Sequence, residues 1–351
     1  MDRAWIHEAI SRLESDFHRS ADTHLIRVPH CISPEIDLYL KDESIHPSGS
    51  LKHRLARSLF LYAICNGWIQ QGTPVVEASS GSTAISEAYF SKILNLPFHT
   101  VIPAGTSKEK IHKIEFLQGQ CHLTSQHDIN RAAATLAEEI GGHFMDQFTY
   151  AERATDWRGN NNIAESLFRQ MSDERYPEPT WVVMSAGTGG TSATIGRYIR
   201  YQKLNTLLCV ADPEFSVYYE YYHSRDASLT SKRLSRIEGI GRPRVEPSFV
   251  AGVIDRMIKV PDAAAIGTMR ALHQALDRKC GGSTGTNLWA TLQLMLEMKS
   301  QQQSGSVVTM ICDGGERYLD TYYSDEWLTS QGLEIAPIEK EITPLLLETC
   351  D

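Results

Sequence analysis

The chain alternates short apolar runs with longer amphipathic stretches, and this alternation restricts its possible folds more than any other feature. Five compact apolar runs, typical of strands that are buried on both faces, read PVVEAS, FHTVIP, WVVMSA, LLCVAD and SVVTMICD. Apolar residues at helical spacing occupy the stretches at residues 51–65, 82–94, 108–117, 129–140, 163–171, 191–202, 263–277 and 287–299. This order predicts an α/β protein with doubly wound, mostly parallel sheets. Because 351 residues provide more strand–helix units than one sheet comfortably holds, we expect two domains.

Charge and cysteine usage narrow the class of protein. The formal net charge of -9 argues against a general nucleic-acid binder. The first twenty residues carry charges throughout, and their apolar residues lie on one face of a predicted amphipathic helix. Because this segment has no continuous apolar core, we expect no signal peptide there. No apolar run is long enough to cross a bilayer. Seven scattered cysteines without a CxxC pair do not predict a disulfide framework. We therefore expect a cytoplasmic protein with neither a membrane nor a nucleic-acid partner.

Three glycine-rich junctions lead directly into helices. They read EASSGSTAISEAYF, MSAGTGGTSATIGRYI and KCGGSTGTNLWATL. Free backbone N–H groups and the positive end of a helix dipole make such a junction a site for phosphate or carboxylate. Each junction alone is also explained by an ordinary capped helix. Three of them in one chain suggest a single ligand with several anionic or polar ends.

Lys52 stands in an electrostatically unfavourable place. It follows a Pro-Ser-Gly-Ser turn on the first turn of an apolar helix, where the dipole favours a carboxylate. The same place suits an amine that must lose its proton, because nearby positive charge lowers the pKa of a lysine. A phosphate-bearing cofactor that also requires a lysine amine is pyridoxal 5′-phosphate.

Seven ordered motifs resemble those of the cysteine synthase family, the fold type II pyridoxal-phosphate enzymes that include cystathionine β-synthase. The motifs are KDESIHPSGSLKHR, EASSGSTAISEA, MDQFTYAE, SAGTGGTSATIGRYI, IEGIG, GGSTGT and CDGGERYL. The resemblance extends from about Thr23 to about Trp327. Within the family, the chain is most similar to bacterial L-cysteine desulfhydrases. The resemblance implies β-elimination of L-cysteine to sulfide, pyruvate and ammonia by a homodimer.

The resemblance also implies a role for individual residues. Lys52 matches the Schiff-base lysine that moves the α-proton, and Ser283 matches the serine that binds the pyridine nitrogen. The phosphate loop corresponds to Gly187, Thr188, Gly189, Gly190 and Thr191. The groups that hold the substrate carboxylate correspond to Ser79, Ser80, Gly81, Thr83 and Gln147. Gly239 and Gly241 match the loop that faces the substrate amine.

The matched residues imply a division of the chain. Residues 40–155 would form a smaller domain with Lys52 and the substrate-carboxylate loop. Residues 1–39 and 156–351 would form a larger domain with the phosphate loop and Ser283. The family pattern TSGNTG reads SSGSTA here, so Ser82 replaces the asparagine that binds the 3′-oxygen of the cofactor. A serine there offers one hydroxyl in place of an amide.

Other functions remain open from the sequence. A cysteine synthase, which adds sulfide to O-acetylserine, would use every residue assigned above. A cofactor-binding regulatory protein would not need Lys52. A nicotinamide-dependent dehydrogenase has only an imperfect glycine motif in its favour. The thirteen histidines show no metal-ligand spacing, so we expect no metal. Arg242 and Arg244 are candidates either for binding a carboxylate or for surface ion pairs.

Overall fold

The computed structural model describes residues 2–19, 22–125 and 128–346, in which strands and helices alternate. The strands are β1 (His24–Val28), β2 (Ile36–Asp42), β3 (Val75–Glu77), β4 (Phe98–Pro103), β5 (Gln120–Thr124), β6 (His143–Phe144), β7 (Trp181–Ser185), β8 (Leu207–Pro213), β9 (Arg256–Val260) and β10 (Gly305–Ile311). The helices are α1 (Arg3–His18), α2 (Lys52–Cys65), α3 (Ser82–Leu94), α4 (Lys108–Phe116), α5 (Ile129–Glu139), α6 (Gln147–Ala154), α7 (Ile163–Met171), α8 (Gly190–Gln202), α9 (Tyr218–Ser224), α10 (Asp262–Leu276), α11 (Gly282–Ser300), α12 (Asp325–Ser330) and α13 (Ala336–Ile342).

The chain divides into two compact units. The first unit contains the described residues up to 22 together with His46–Asp156. Its sheet has the order β5-β4-β3-β6, and all neighbouring strands are parallel. Helices cover both faces of this sheet: α2 and α3 contribute to one apolar cluster, and α5 contributes to another. This arrangement explains why its central strands lack a solvent-exposed face.

The second unit contains Thr23–Ile45 and the chain from Trp157 onward. Its sheet has the order β1-β2-β10-β7-β8-β9, in which only the β1–β2 pair is antiparallel. The central strand β10 is buried along its whole length. Helices α10 and α11 supply much of the apolar cluster that packs on this sheet. The predicted α/β class with mostly parallel sheets is therefore confirmed.

Helix α1 belongs to the first unit. Its buried residues Ala9 and Leu13 pack in the same apolar cluster as Leu59 of α2 and Phe90 of α3. This position differs from the sequence-based boundaries, which assign residues 1–39 to the larger domain. Only β1 and β2 of that segment join the second unit, because they extend its sheet beside β10.

One cysteine departs from expectation. Five cysteines of the described chain are free thiols, namely Cys65, Cys121, Cys209, Cys280 and Cys312. Cys31, in contrast, is disulfide-bonded. Spacing in the sequence gives no sign of this bond, because no second cysteine lies near it in the chain.

Candidate active site

Lys52 is the first residue of α2, as the sequence predicts. Leu51 precedes it as an N-cap that makes no side-chain hydrogen bond, and the first turn contains no acidic residue. The backbone N–H of Lys52 donates to Ser50 Oγ at 3.3 Å, and its side chain is half-buried. The positive end of the α2 dipole is therefore not neutralised by its own first turn, and it favours the uncharged form of a nearby amine.

The predicted substrate-carboxylate residues form one loop and its support within the first unit. The loop leaves β3 at Ala78 and enters α3 through Gly81, an N-cap without a side-chain hydrogen bond. Thr83 Oγ1 donates to Gln147 Oε1 at 2.8 Å, which joins α3 to the start of α6. Thr100 Oγ1 on β4 donates to the carbonyl of Ser79 at 2.6 Å, which ties the loop to the neighbouring strand. The uncapped helix end is suited to an anion such as a carboxylate.

Ser82 is the first residue of α3 and is half-buried. Ser79, Ser80 and Gly81 are also half-buried, whereas Thr83 is 3% exposed. Within this loop the N–H of Gly81 donates to Ser79 Oγ at 3.2 Å, so the hydroxyl of Ser79 orders the turn that enters α3.

Two carboxyl groups that the sequence analysis missed lie beneath this loop. Glu77 Oε1 accepts from the N–H of Ala78 at 2.6 Å, and Glu77 Oε2 accepts from the N–H of Gln147 at 3.2 Å. Burial raises the pKa of Glu77 to about 7, and burial together with Glu77 raises the pKa of Glu87 well above its usual value. A glutamate four residues after Thr83 on an otherwise apolar helix face was the available signal.

The predicted phosphate loop connects β7 to α8 in the second unit. Gly189, with φ of 85°, is the N-cap of α8 and makes no side-chain cap, while Thr188 Oγ1 accepts from the N–H of Gly190 at 3.3 Å. The first turn contains no acidic residue, so the N–H groups and the dipole of α8 both favour an anion. Ser248 Oγ donates to the carbonyl of Thr188, which holds the loop from its other side.

The predicted loop for the substrate amine lies directly against the phosphate loop. The N–H of Gly241 donates to the carbonyl of Ala186 at 2.8 Å, and Tyr218 Oη donates to the carbonyl of Gly187 at 2.8 Å. A Cβ added at Gly187 would come within 2.2 Å of the carbonyl oxygen of Gly239. The structure thus brings Gly187–Thr191, Gly239 and Gly241 together. Close backbone packing requires Gly187 and Gly189, whereas Gly239 has no atom near its missing side chain and has a φ of 83°.

Ser283 lies within the first turn of α11 rather than in a loop before it. Helix α11 begins at Gly282, five residues before the predicted start, and Ser283 is only 6% exposed. The neighbouring Thr284 Oγ1 accepts from the N–H of Cys312 at 3.2 Å, just beyond β10. Helix geometry therefore fixes the place of Ser283 beside the carboxyl end of the central strand.

The residues of each unit fit a part of pyridoxal 5′-phosphate. The start of α8 and the crowded Gly187 and Gly189 provide a cradle that suits a phosphate group, since a side chain at either glycine would meet backbone atoms. Lys52 provides the primary amine that an aldehyde requires. Ser283 provides a neutral hydroxyl for a ring nitrogen.

The two arginines proposed either to bind a carboxylate or to form surface ion pairs are paired with a glutamate. Arg242 Nε and Arg244 Nε both donate to Glu246 Oε1, at 2.8 and 3.3 Å. Within residues 2–19, 22–125 and 128–346, no group of three or more His, Cys, Asp and Glu side chains is arranged to hold a metal ion. No described helix is both long enough and apolar enough to span a membrane.

Comparison of the sequence with known proteins identifies a matching family model and several similar enzymes. A family model described as pyridoxal-phosphate dependent enzyme matches residues 20–313. The L-cysteine desulfhydrase Cds1 of Mycobacterium tuberculosis is 57% identical over 341 residues, which cover 96% of this chain and 93% of that protein. A cysteine synthase of Aquifex aeolicus is 28% identical, with coverage of 87% of this chain and 90% of that protein.

Comparison with solved structures finds the same fold in another protein. A crystal structure of O-ureido-L-serine synthase superimposes with a TM-score of 0.75 and covers 88% of this chain and 96% of that one. The two sequences are 24% identical, so this likeness concerns the fold alone.

Proposed function

The chain belongs to the family of pyridoxal-phosphate dependent enzymes, and from this premise we propose that it is an L-cysteine desulfhydrase. The reaction takes L-cysteine and water to sulfide, pyruvate and ammonia. The main support for this proposal is the 57% identity, over 96% of the chain, to the L-cysteine desulfhydrase Cds1. Cysteine synthases are more distant, as the 28% identity to the Aquifex aeolicus protein illustrates.

Lys52 is proposed to hold the cofactor covalently through its side-chain amine and to take the proton from Cα of the substrate. When bound, pyridoxal 5′-phosphate supplies an aldehyde that reacts with amines and a ring that withdraws electrons from the bonds at Cα. The start of α2 supports this role, because its first turn contains no acidic residue and the helix dipole disfavours a positive charge there.

The substrate carboxylate is proposed to bind at the start of α3. Ser79, Ser80, Gly81, Thr83 and Gln147 would provide hydroxyl, amide and backbone donors for it. The hydrogen bond of 2.8 Å between Thr83 and Gln147 supports this assignment, because it orients both side chains before a substrate arrives.

The remaining cofactor contacts are proposed for the following residues. Gly187, Thr188, Gly189, Gly190 and Thr191 would hold the phosphate, with the N-terminus of α8 as the principal donor. Ser283 would bind the pyridine nitrogen, and Ser82 would take the place of the usual asparagine at the 3′-oxygen. Gly239 and Gly241 would face the substrate amine, where the absence of side chains leaves room for it.

Product analysis tests the proposal against a cysteine synthase. Purified protein loaded with cofactor is given L-cysteine alone in one reaction, and O-acetylserine with sulfide in another. A desulfhydrase produces pyruvate in the first reaction. Accumulation of cysteine in the second, with little pyruvate in the first, would identify a synthase. The Lys52→Ala variant is the control and is expected to be inactive in both.

We also propose a homodimer that resides in the cytoplasm. The resemblance to the cysteine synthase family supports the dimer, which light scattering of the purified protein would measure as about twice the 39.4 kDa chain mass. A monomer mass would contradict it. Fractionation of cells that express the protein would test the compartment.

A further inference from the structure

Glu77 holds together the two segments proposed to bind the substrate carboxylate. One of its oxygens accepts from the N–H of Ala78, next to Ser79, at 2.6 Å. The other accepts from the N–H of Gln147 at 3.2 Å. Thr100 Oγ1 adds a bond of 3.2 Å to the carbonyl of Glu77 itself. A single buried carboxyl therefore sets the distance between the loop and the first residue of α6.

Glu87 lies on α3 beside this carboxyl. It is fully buried and sits four residues after Thr83, so both side chains project from the same face of the helix. Among the residues that the structure describes, no N–H or hydroxyl donates to either oxygen of Glu87. Its hydrogen-bonding neighbour is the carboxyl of Glu77. A hydrogen bond between two carboxyl groups requires a proton on one of them.

The proton belongs on Glu87. Both oxygens of Glu77 already accept backbone N–H groups, which stabilises the charged form of Glu77. Glu87 has no such donors, and an unpaired buried carboxylate is energetically costly. The pKa shifts have the same direction: burial raises the pKa of both carboxyls, and the nearby Glu77 raises that of Glu87 further.

Few other charges act on the pair. Lys52 at the start of α2 favours ionisation of Glu87, and Asp146 before α6 opposes ionisation of Glu77. Three titratable side chains on elements packed against α3 have identified partners. Asp16 of α1 accepts from Tyr89, His53 of α2 lies 3.0 Å from Ser48 Oγ, and His99 of β4 contacts His122. On α4, Glu109 and Lys113 pair with each other.

We propose that Glu87 carries a proton at neutral pH, donates it to Glu77, and thereby acts as a positioning residue for the substrate-carboxylate segment. The inference rests on the proposed function, because it assigns a carboxylate ligand to that segment. The shared proton limits the pair to one negative charge directly below the place where a further carboxylate binds. When the proton is lost at higher pH, the two carboxylates repel each other and the ligand, and the hold of Glu77 on Ala78 and Gln147 weakens.

Binding of L-alanine tests this inference without turnover, because L-alanine has the carboxylate and the amine but no leaving group. The dissociation constant is measured from the visible absorption of the cofactor-loaded enzyme at pH 6.5 and pH 9. Ratios between variants at each pH cancel the ionisation of L-alanine itself. In Glu87→Gln, an amide N–H donates to Glu77 and cannot ionise. This variant should bind like the wild type while Glu87 keeps its proton, and more tightly than the wild type at the higher pH where that proton is lost.

Two further variants complete the set. Glu87→Leu removes the donor, so Glu77 loses its partner and binding should weaken about tenfold already at pH 6.5. Asp262→Asn is the matched control, because it also removes a buried carboxyl whose pKa burial raises, to about 6, but it lies on α10 in the second unit. Its binding profile should follow the wild type. A Glu87→Gln variant with the wild-type pH profile, or a Glu87→Leu variant that binds normally, would overturn the inference.

Hydrogen exchange separates this inference from the proposed function. In protein without any amino acid, peptides that contain Ala78 and Gln147 should lose protection between pH 6.5 and 8.5, after correction for intrinsic exchange rates. The same peptides of Glu87→Gln should keep their protection. If this difference is seen but L-cysteine gives no pyruvate, the proposed function fails and the role of Glu87 stands. If wild type and variant exchange alike, the role of Glu87 fails whatever the activity.

Discussion

Gly187 packs so closely against a neighbouring loop that no side chain is tolerated there. A Cβ at this position would come within 2.2 Å of the carbonyl oxygen of Gly239, and backbone atoms cannot rotate away as a side chain does. Gly187→Ala should therefore push the phosphate loop from the Gly239–Gly241 segment. We expect a stability loss of about 1–3 kcal/mol and at least tenfold weaker retention of pyridoxal 5′-phosphate. Denaturation and equilibrium dialysis measure the two effects.

Gly252→Ala is the matched control for that substitution. Gly252 lies in the same unit, and an added Cβ there would meet no atom within 4 Å. This variant should retain the cofactor as the wild type does. Equal cofactor retention by Gly187→Ala and Gly252→Ala would show that close packing of the two loops is not what shapes the phosphate site.

Asp212 at the end of β8 should make stability depend on pH. Burial raises the pKa of its carboxyl to about 7, while an unfolded aspartate titrates near 4. The folded state thus binds a proton that the unfolded state has lost, and the associated stability falls as pH rises from about 4 to about 7. Asp212→Asn removes this loss and keeps an acceptor for the N–H of Tyr219.

The difference in free energy of unfolding between Asp212→Asn and wild type should grow with pH over this range. Its upper limit is about 4 kcal/mol, since one pKa unit corresponds to about 1.4 kcal/mol. Urea denaturation at pH 4.5, 5.5 and 7 measures it, with the exposed Asp320→Asn as the control for loss of one charge. A difference that stays constant with pH would contradict this account.

At the scale of elements, α1 is held to the helix that begins with Lys52 by a buried polar contact. Asp16 of α1 accepts from Tyr89 Oη of α3 at 2.7 Å and lies 3.7 Å from His53 Nε2 of α2. Asp16→Ala leaves the Tyr89 hydroxyl without its acceptor and removes the carboxylate near His53. We expect a loss of about 1–3 kcal/mol in the free energy of unfolding. Chemical denaturation of the purified variants measures it.

Glu8→Ala on the same helix is the comparison. Glu8 pairs with Arg12 at the surface, and its side chain is 58% exposed. Exposed ion pairs of this kind add little to stability, so this variant should unfold like the wild type. Equal losses in the two variants would indicate that α1 contributes by helix formation alone and not by its contact with α2 and α3.

The sequence predicted the helices with regular apolar spacing and the strands with uninterrupted apolar runs. Helix α3 begins and ends where its apolar spacing predicts, and β4 coincides with the run FHTVIP. Strands β1, β2, β5, β6 and β9 were missed, because polar or charged residues interrupt their apolar runs. The start of α11 was also missed, since its glycines look like a loop. Gly285 is needed inside that helix because a Cβ there would lie 1.9 Å from the carbonyl oxygen of Ala265.

At the scale of the whole molecule, sequence motifs predict local features such as helix starts, whereas contacts between distant residues become visible only in the folded structure. The sequence places Lys52 and the start of α8 at helix N-termini, because those positions depend on local spacing. It does not show that Glu77 and Glu87 share one buried site, or that α1 packs with α2. Those contacts join residues that are distant in the chain or separated by turns whose path depends on the assembled core.

The most direct test of the account follows pyruvate and sulfide together from L-cysteine alone. Elimination releases both in equal amounts, because the sulfur leaves as the carbon skeleton becomes pyruvate. We predict a one-to-one ratio throughout the time course, and release of neither product by Lys52→Ala. Sulfide without pyruvate would mean that the sulfur is replaced by another group rather than eliminated, and it would contradict the assignment of this chain as an L-cysteine desulfhydrase.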